Sequence, residues 1–132
     1  MSRVVFCRSV RFTADHFYKA ADLSDQENLD LFGQSTRVHP HHWRLTVWLE
    51  GSLNEHGMMV DLTEVDNILN SVAVDVFHGK CMNQEDVYFQ THQPTNEVLA
   101  GYFADKLLGL LPATLIRLRI AETDDLYAEW LP

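Results

Sequence analysis

The sequence predicts an α+β domain built on a four-stranded antiparallel sheet, in the order strand, strand, helix, helix, strand, strand. Three observations carry that prediction. Two stretches in the first half alternate apolar and polar residues, two later stretches repeat apolar residues at helical spacing behind capping residues, and two short strand-like runs close the chain. Strands grouped at both ends around paired helices, rather than strictly alternating with them, favour antiparallel pairing.

The first strand runs from Arg3 to His16, with Val4, Phe6, Val10, Phe12 and Ala14 on one face, interrupted only by Arg8. Residues 18–38 lose the alternation. Within them Ser24-Asp25-Gln26-Glu27 reads as a capping box that opens a short helix ending at Gly33. Alternation returns from His39 to Gly51, with Trp43, Leu45, Val47 and Leu49 on one face and Arg44, Thr46 and Glu50 on the other. Asp61, with Glu64 three residues on, opens a helix whose apolar stripe is Leu62, Val65, Leu69, Val72 and Val76. Thr95, after Pro94, is the N-cap of the second helix, whose buried face is Leu99, Tyr102, Phe103, Leu107 and Leu110. Leu115 to Thr123 forms the third strand, with Ile116, Leu118 and Ile120 together. Asp124-Asp125 turns the chain into a return strand, Leu126 to Trp130.

A chain of 132 residues, 46% hydrophobic, is the size of one domain, so residues 1–132 are read as a single unit. It carries 10 basic and 19 acidic residues, a formal charge of -9. That balance argues against duplex nucleic acid or an anionic membrane as partner, since both require cationic surface. No stretch resembles a membrane span, and arginines interrupt the apolar residues of the N-terminus, so no signal peptide is expected. Two cysteines, Cys7 and Cys81, are too few for a disulfide framework and suit a reducing cytoplasm.

Seven histidines are the chemical signal. Side chains of a strand alternate faces, and His39 and His41 share parity with Trp43, Leu45, Val47 and Leu49. They extend the core face of the second strand at its beginning. His16 shares parity with Phe12 and Ala14 and extends the core face of the first strand at its end. Antiparallel pairing then brings three imidazoles to one rim of the sheet, across a connection of 22 residues. A His-X-His pair with a third histidine on the neighbouring strand suits Zn2+, which takes imidazole nitrogen and keeps a further position for water or substrate. His42 has the opposite parity and reads as a surface residue or as one that supports the ligands without binding metal itself.

The sequence resembles the 6-pyruvoyl-tetrahydropterin synthase and 6-carboxytetrahydropterin synthase family. Phe12-Thr13-Ala14-Asp15-His16, His39-Pro40-His41 before an aromatic, and Gly57-Met58-Met59-Val60-Asp61-Leu62 carry the resemblance. Pro94-Thr95-Asn96-Glu97, Glu122-Thr123 and Tyr127 continue it in order, and Leu23 to Gly33 is similar to the animal type of this loop. The resemblance implies the tunnelling fold, a four-stranded antiparallel sheet with two helices on one face. Three subunits of that fold close a barrel, and two trimers commonly stack into a hexamer with active sites at the subunit interfaces. It implies zinc on His16, His39 and His41, and a small-molecule pterin substrate, 7,8-dihydroneopterin triphosphate or a related dihydropterin. Glu122 takes the position of the carboxylate that anchors the pterin ring, and Thr95 and Glu97 match substrate-side residues. Thr95 is equally explained as a helix cap. Pathways of the tetrahydrobiopterin, queuosine and folate type all fall within the family's range.

The sequence departs from the family in its proton-transfer set. The thiol position reads Ser35, and the Asp-His pair reads Phe77-His78. A serine hydroxyl is no base near neutral pH without activation. His78 keeps acid/base capacity, and equally reads as a histidine favoured by the macrodipole at a helix C-terminus. Asp75 and Cys81 lie near enough in sequence to be considered as substitutes. The expectation is a zinc-dependent pterin lyase with His78 and Ser35 as catalytic candidates. The alternative is a paralogue that binds zinc and a pterin or purine without turnover. A triphosphate substrate also requires local positive potential against the net charge of -9.

Overall fold

The alternating N-terminal stretch forms β1 (Val5–His16), and the stretch after the long connection forms β2 (His39–Glu50). They pair antiparallel without a break, from Val5 opposite Glu50 to His16 opposite His39. β3 (Thr114–Thr123) pairs with β2, and β4 (Leu126–Trp130) pairs with β3, giving one sheet in the order β1-β2-β3-β4. These relations come from a computed structural model that describes residues 2–132. The fold is α+β, as the order of elements predicts.

Arg8 sits on the otherwise apolar face of β1 because a helix carboxylate meets it: its guanidinium makes two hydrogen bonds to Asp66, at 2.7 and 2.9 Å. Val4 lies before the strand and is exposed. In β3 the core passes from Leu118 to Leu115, because the register shifts between Trp48 and Leu49 and skips Ile116. Ile116 is therefore only half-buried and does not join Leu118 and Ile120 as simple alternation predicts; a bulge inserts one residue and reverses parity beyond it.

Helices cover one face of the sheet. α1 (Asp25–Phe32) lies in the connection between β1 and β2 and shows both halves of its capping box, Ser24 accepting from Glu27 N–H and Glu27 accepting from Ser24 N–H. Asn28 is buried there, and its amide holds Ala20 through both its N–H and its C=O. α2 (Leu62–Leu69) runs through a π turn (Asn70–Val74) into α3 (Asp75–Phe77). Val65, Leu69, Ala73 and Phe77 are its fully buried residues, so the stripe falls at 73 and 77 rather than at the expected 72 and 76. α4 (Met82–Glu85) and a 3-10 turn over Val87–Gln90 follow; the sequence showed no period there, yet they plant Met82 and Phe89 in the core. α5 (Asn96–Leu107) is capped by Thr95, whose hydroxyl accepts from Val98 N–H at 3.1 Å. Leu110 lies beyond its end and is exposed.

The core between sheet and helices centres on Phe77, whose ring meets Phe12, Phe89, Tyr102 and Phe103 at centroid distances of 5.9 to 6.3 Å. Trp43, also fully buried, donates its indole N–H to the Ala14 carbonyl. After Phe77 the chain runs along the outer edge of β1. Gly79 N–H donates to the Thr13 carbonyl, Asp15 N–H donates to the Lys80 carbonyl, and Thr13 N–H donates to His78 Nδ1. No helix among the described residues is long and apolar enough to cross a membrane.

Candidate metal centre

The unbroken register of β1 and β2 sets His16 opposite His39 and Ala14 opposite His41. Each of the three histidines offers a ring nitrogen, and these atoms lie within 4.8 Å of one another. Ring centroids are 4.4 Å apart for His16 and His39, 4.9 Å for His16 and His41, and 5.0 Å for His39 and His41. Trp43 forms the floor, edge-on to His16 and His41.

Backbone carbonyls fix the tautomers. His16 Nδ1 donates to the Pro94 carbonyl at 2.9 Å, and His39 Nδ1 donates to the Arg37 carbonyl at 2.6 Å. A proton held on Nδ1 leaves the Nε2 lone pair of each ring free, the arrangement that metal-ligating histidines use. His16 is fully buried and its Nε2 has no hydrogen-bond partner. Leaving a buried acceptor unpaired costs roughly 1–3 kcal/mol. A cation placed among the three rings relieves that cost, so the residues fit a tetrahedral zinc with one further position. Burial also drives the His16 pKa down to about 4, so the ring stays neutral and available as a ligand. His41 is lowered too, by burial first, with the Glu122 carboxylate pulling the other way.

Glu122 joins the three histidines. It lies where the register between β3 and β4 shifts, between Ala121 and Thr123, and it is 8% exposed. Its side chain faces inward in the same alternation as Leu118 and Ile120, with Oε2 3.4 Å from His41 Nε2 and Oε1 3.9 Å from His16 Nε2. Tyr18, which the sequence reading passed over, packs edge-on against His16 at 5.2 Å. Its phenol is pushed up to about 12, by burial first and then by the negative charges of Glu122 and Glu97. Tyr18 follows His16 by two residues, so extending the strand parity one further step would have found it. Thr95 is half-buried and committed to its cap, and Glu97 is exposed in the first turn of α5. The Pro94 carbonyl ties the start of that helix to His16.

The proton-transfer candidates are placed differently. Ser35 is half-buried in the 3-10 turn before β2, and its carbonyl accepts from Tyr18 N–H at 2.8 Å. It therefore borders the site. His78 is exposed at the outer edge of β1, hydrogen-bonded to Thr13 rather than to the three histidines. Phe77 belongs to the aromatic core, where a carboxylate would be buried among hydrocarbon. Asp75 is exposed. Cys81 is half-buried, and burial raises its thiol pKa; Cys7 is exposed, and both cysteines are free. His42 meets the Thr13 hydroxyl, His56 lies beside Glu55, and His92 stacks on Tyr88.

Residues 6–131 match the protein family described as 6-pyruvoyl tetrahydropterin synthase. The chain belongs to this family. It is 29% identical over 122 residues to human 6-pyruvoyl tetrahydrobiopterin synthase, covering 89% of this chain and 84% of the human one. To the same enzyme of Poecilia reticulata it is 31% identical over 117 residues, covering 86% and 80%. The solved structure of Caenorhabditis elegans 6-pyruvoyl tetrahydropterin synthase superposes with a TM-score of 0.89 at 27% identity, over 100% of this chain and 97% of that one. The sheet with helices on one face is thus the tunnelling fold of this pterin enzyme family.

Proposed function

We propose that the protein is a zinc-dependent carbon–oxygen lyase acting on 7,8-dihydroneopterin triphosphate or a closely related dihydropterin. The reaction is triphosphate elimination with side-chain rearrangement or cleavage, of the 6-pyruvoyl- or 6-carboxy-tetrahydropterin type. The observation that supports this most is the buried, unpaired Nε2 of His16, aimed into the space it shares with His39 and His41. Zinc held by these three would supply Lewis acidity toward the hydroxyls of the substrate side chain.

The chain's own groups supply the rest. Glu122 can accept two hydrogen bonds from the amino group and ring N–H of a pterin, which fixes the ring relative to the histidines. Thr95 and Glu97 line the approach from the start of α5. Ser35 borders the site and contributes a hydroxyl, and His78 is the proton carrier. Since His78 faces outward from the β1 edge, it serves a neighbouring copy in a homo-oligomer, trimer or hexamer. That assembly is proposed to work in the cytoplasm, where both thiols stay reduced.

Incubation of the purified protein with 7,8-dihydroneopterin triphosphate, with and without zinc, tests the proposal. The expected outcome is a zinc-dependent pterin product on chromatography and about one zinc per chain, lost together in His39→Ala. Ser35→Cys is expected to raise the rate, because a thiol ionises near pH 8.5, far below a hydroxyl. Saturable pterin binding with no product in any variant would overturn the lyase reading and leave a non-catalytic zinc- and pterin-binding protein.

A further inference from the structure

The sheet face turned away from the helices carries a second cluster of chemistry. Arg11 and Arg44 stand directly opposite each other on β1 and β2. Like charges directly opposite on paired strands repel, and among the described residues neither guanidinium has a carboxylate at ion-pair distance. This is unusual in a chain with 19 acidic residues and 10 basic ones. Four of the other five arginines show the usual remedy: Arg3 pairs with Glu50, Arg8 with Asp66, and Arg117 and Arg119 share Glu129, whereas exposed Arg37 has no carboxylate partner among the described residues either.

Arg11 and Arg44 border a recess of about 330 Å3, together with His42, Thr123 and Asp124. His42 is held by the Thr13 hydroxyl at 3.1 Å, which fixes its ring beside the recess. Further along the same face Arg117 lies over Trp48 and Arg119 over Tyr127, 4.2 and 3.8 Å from the ring centroids. Two guanidiniums there share one carboxylate, so the face carries surplus positive charge beyond the recess as well.

We propose that this recess binds a phosphate-type oxyanion between Arg11 and Arg44. Guanidinium groups match phosphate oxygens in geometry as well as charge, and a tetrahedral polyanion placed between two of them turns a repulsive pair into a bridged one. The Arg11–Arg44 pair stands three residue pairs from His41 and five from His39 along the strands, but opens on the other side of the sheet. Its occupant is therefore held by different residues from those of the metal centre. The inference does not depend on the pterin reading.

The probe is inorganic triphosphate, titrated calorimetrically into protein stripped of metal with chelator, at low ionic strength. Saturable binding is expected, weakened about tenfold or more by Arg44→Gln and by Arg11→Gln, tightened by Asp124→Asn, and unchanged by Arg3→Gln at the far end of the sheet. No binding, or equal weakening by Arg3→Gln and Arg44→Gln, would overturn the proposal. Thermal unfolding without ligand supplies a second reading. Both recess variants are expected to melt above the parent protein because the repulsion is gone; a lower midpoint would mean the arginines already have partners and would also count against it. The source of the anion is separated by comparing 7,8-dihydroneopterin triphosphate with 7,8-dihydroneopterin. If Arg44→Gln weakens only the former, the phosphates are the substrate's own; if it weakens neither while inorganic triphosphate binding is lost, the site serves a free anion.

Discussion

His16 is the residue on which the site turns. Its side chain is fully buried, its Nδ1 proton is committed to Pro94, and its other nitrogen is unpaired. In the unfolded chain this imidazole takes a proton near pH 6.5; in the folded, metal-free protein it does so only near pH 4. Between those values the unfolded state binds more protons. Stability of the metal-free protein therefore falls as pH drops from 6.5 toward 4, on the order of 3 kcal/mol from this group, and is unaffected by it above that window. Denaturant unfolding at stepped pH checks this, and His16→Gln should flatten the slope. At this scale the sequence was informative because strand parity is a hard geometric rule: it placed three histidines on the core side, while Glu122 was singled out only by the family resemblance. Tyr18 and the Pro94 carbonyl escaped it, since Tyr18 lies past the strand end and a carbonyl has no sequence signature.

At the scale of elements, the helical run from Leu62 to Phe77 shows where periodicity misleads. An α-helix advances about 100° per residue, so each four-residue step overshoots a full turn by about 40°. Three such steps would swing position 77 about 120° from position 65. The π turn over Asn70–Val74, with Asp75 N–H bonded to the Asn70 carbonyl, unwinds that drift and keeps Val65, Leu69, Ala73 and Phe77 in line. A regular 3.6-residue reading chose Val72 and Val76 instead, because nothing local in Asn70-Ser71-Val72-Ala73-Val74 announces the extra residue. The same blindness applies to the Ile116 bulge. Phe77 is then a packing residue: Phe77→Ala should lower stability by about 3–5 kcal/mol, whereas Phe77→Leu should cost much less. Chemical denaturation of both variants measures it. Equal and small losses would show that the aromatic cluster does not depend on this ring.

For the whole molecule, one face of the sheet is covered by helices and the other is open. β1 and β4 are both edge strands. Backbone groups on the outer side of Val5, Cys7, Ser9 and Arg11 have no backbone partner among the described residues, and Leu126 and Leu131 are exposed near β4. Free edges of this kind recruit another chain. Light scattering is expected to give a mass that is a multiple of 15.2 kDa. Cys7→Pro removes one outward N–H from an edge position where proline is tolerated, so it should yield folded monomer. An unchanged mass would show that assembly does not use this edge. Alternation and capping made the order of elements along the chain and the α+β class legible in the sequence, but free edges follow only from tertiary pairing, which no local pattern records.

The three hydrogen bonds that dock residues 78–80 onto Thr13 and Asp15 have a consequence for how copies can join. They act as a stop on the last part of the β1 edge. An incoming strand can zip only along the stretch before Thr13, so it must sit displaced along the strand axis rather than flush. Displacement of that kind accumulates from copy to copy, and it is what a sheet needs to curl round and meet its own beginning. A flush edge would instead allow endless side-by-side growth. In the homo-oligomer proposed above, the small segment beside His78 would thus act as a geometric ratchet, working toward a closed ring of few copies rather than an open ribbon.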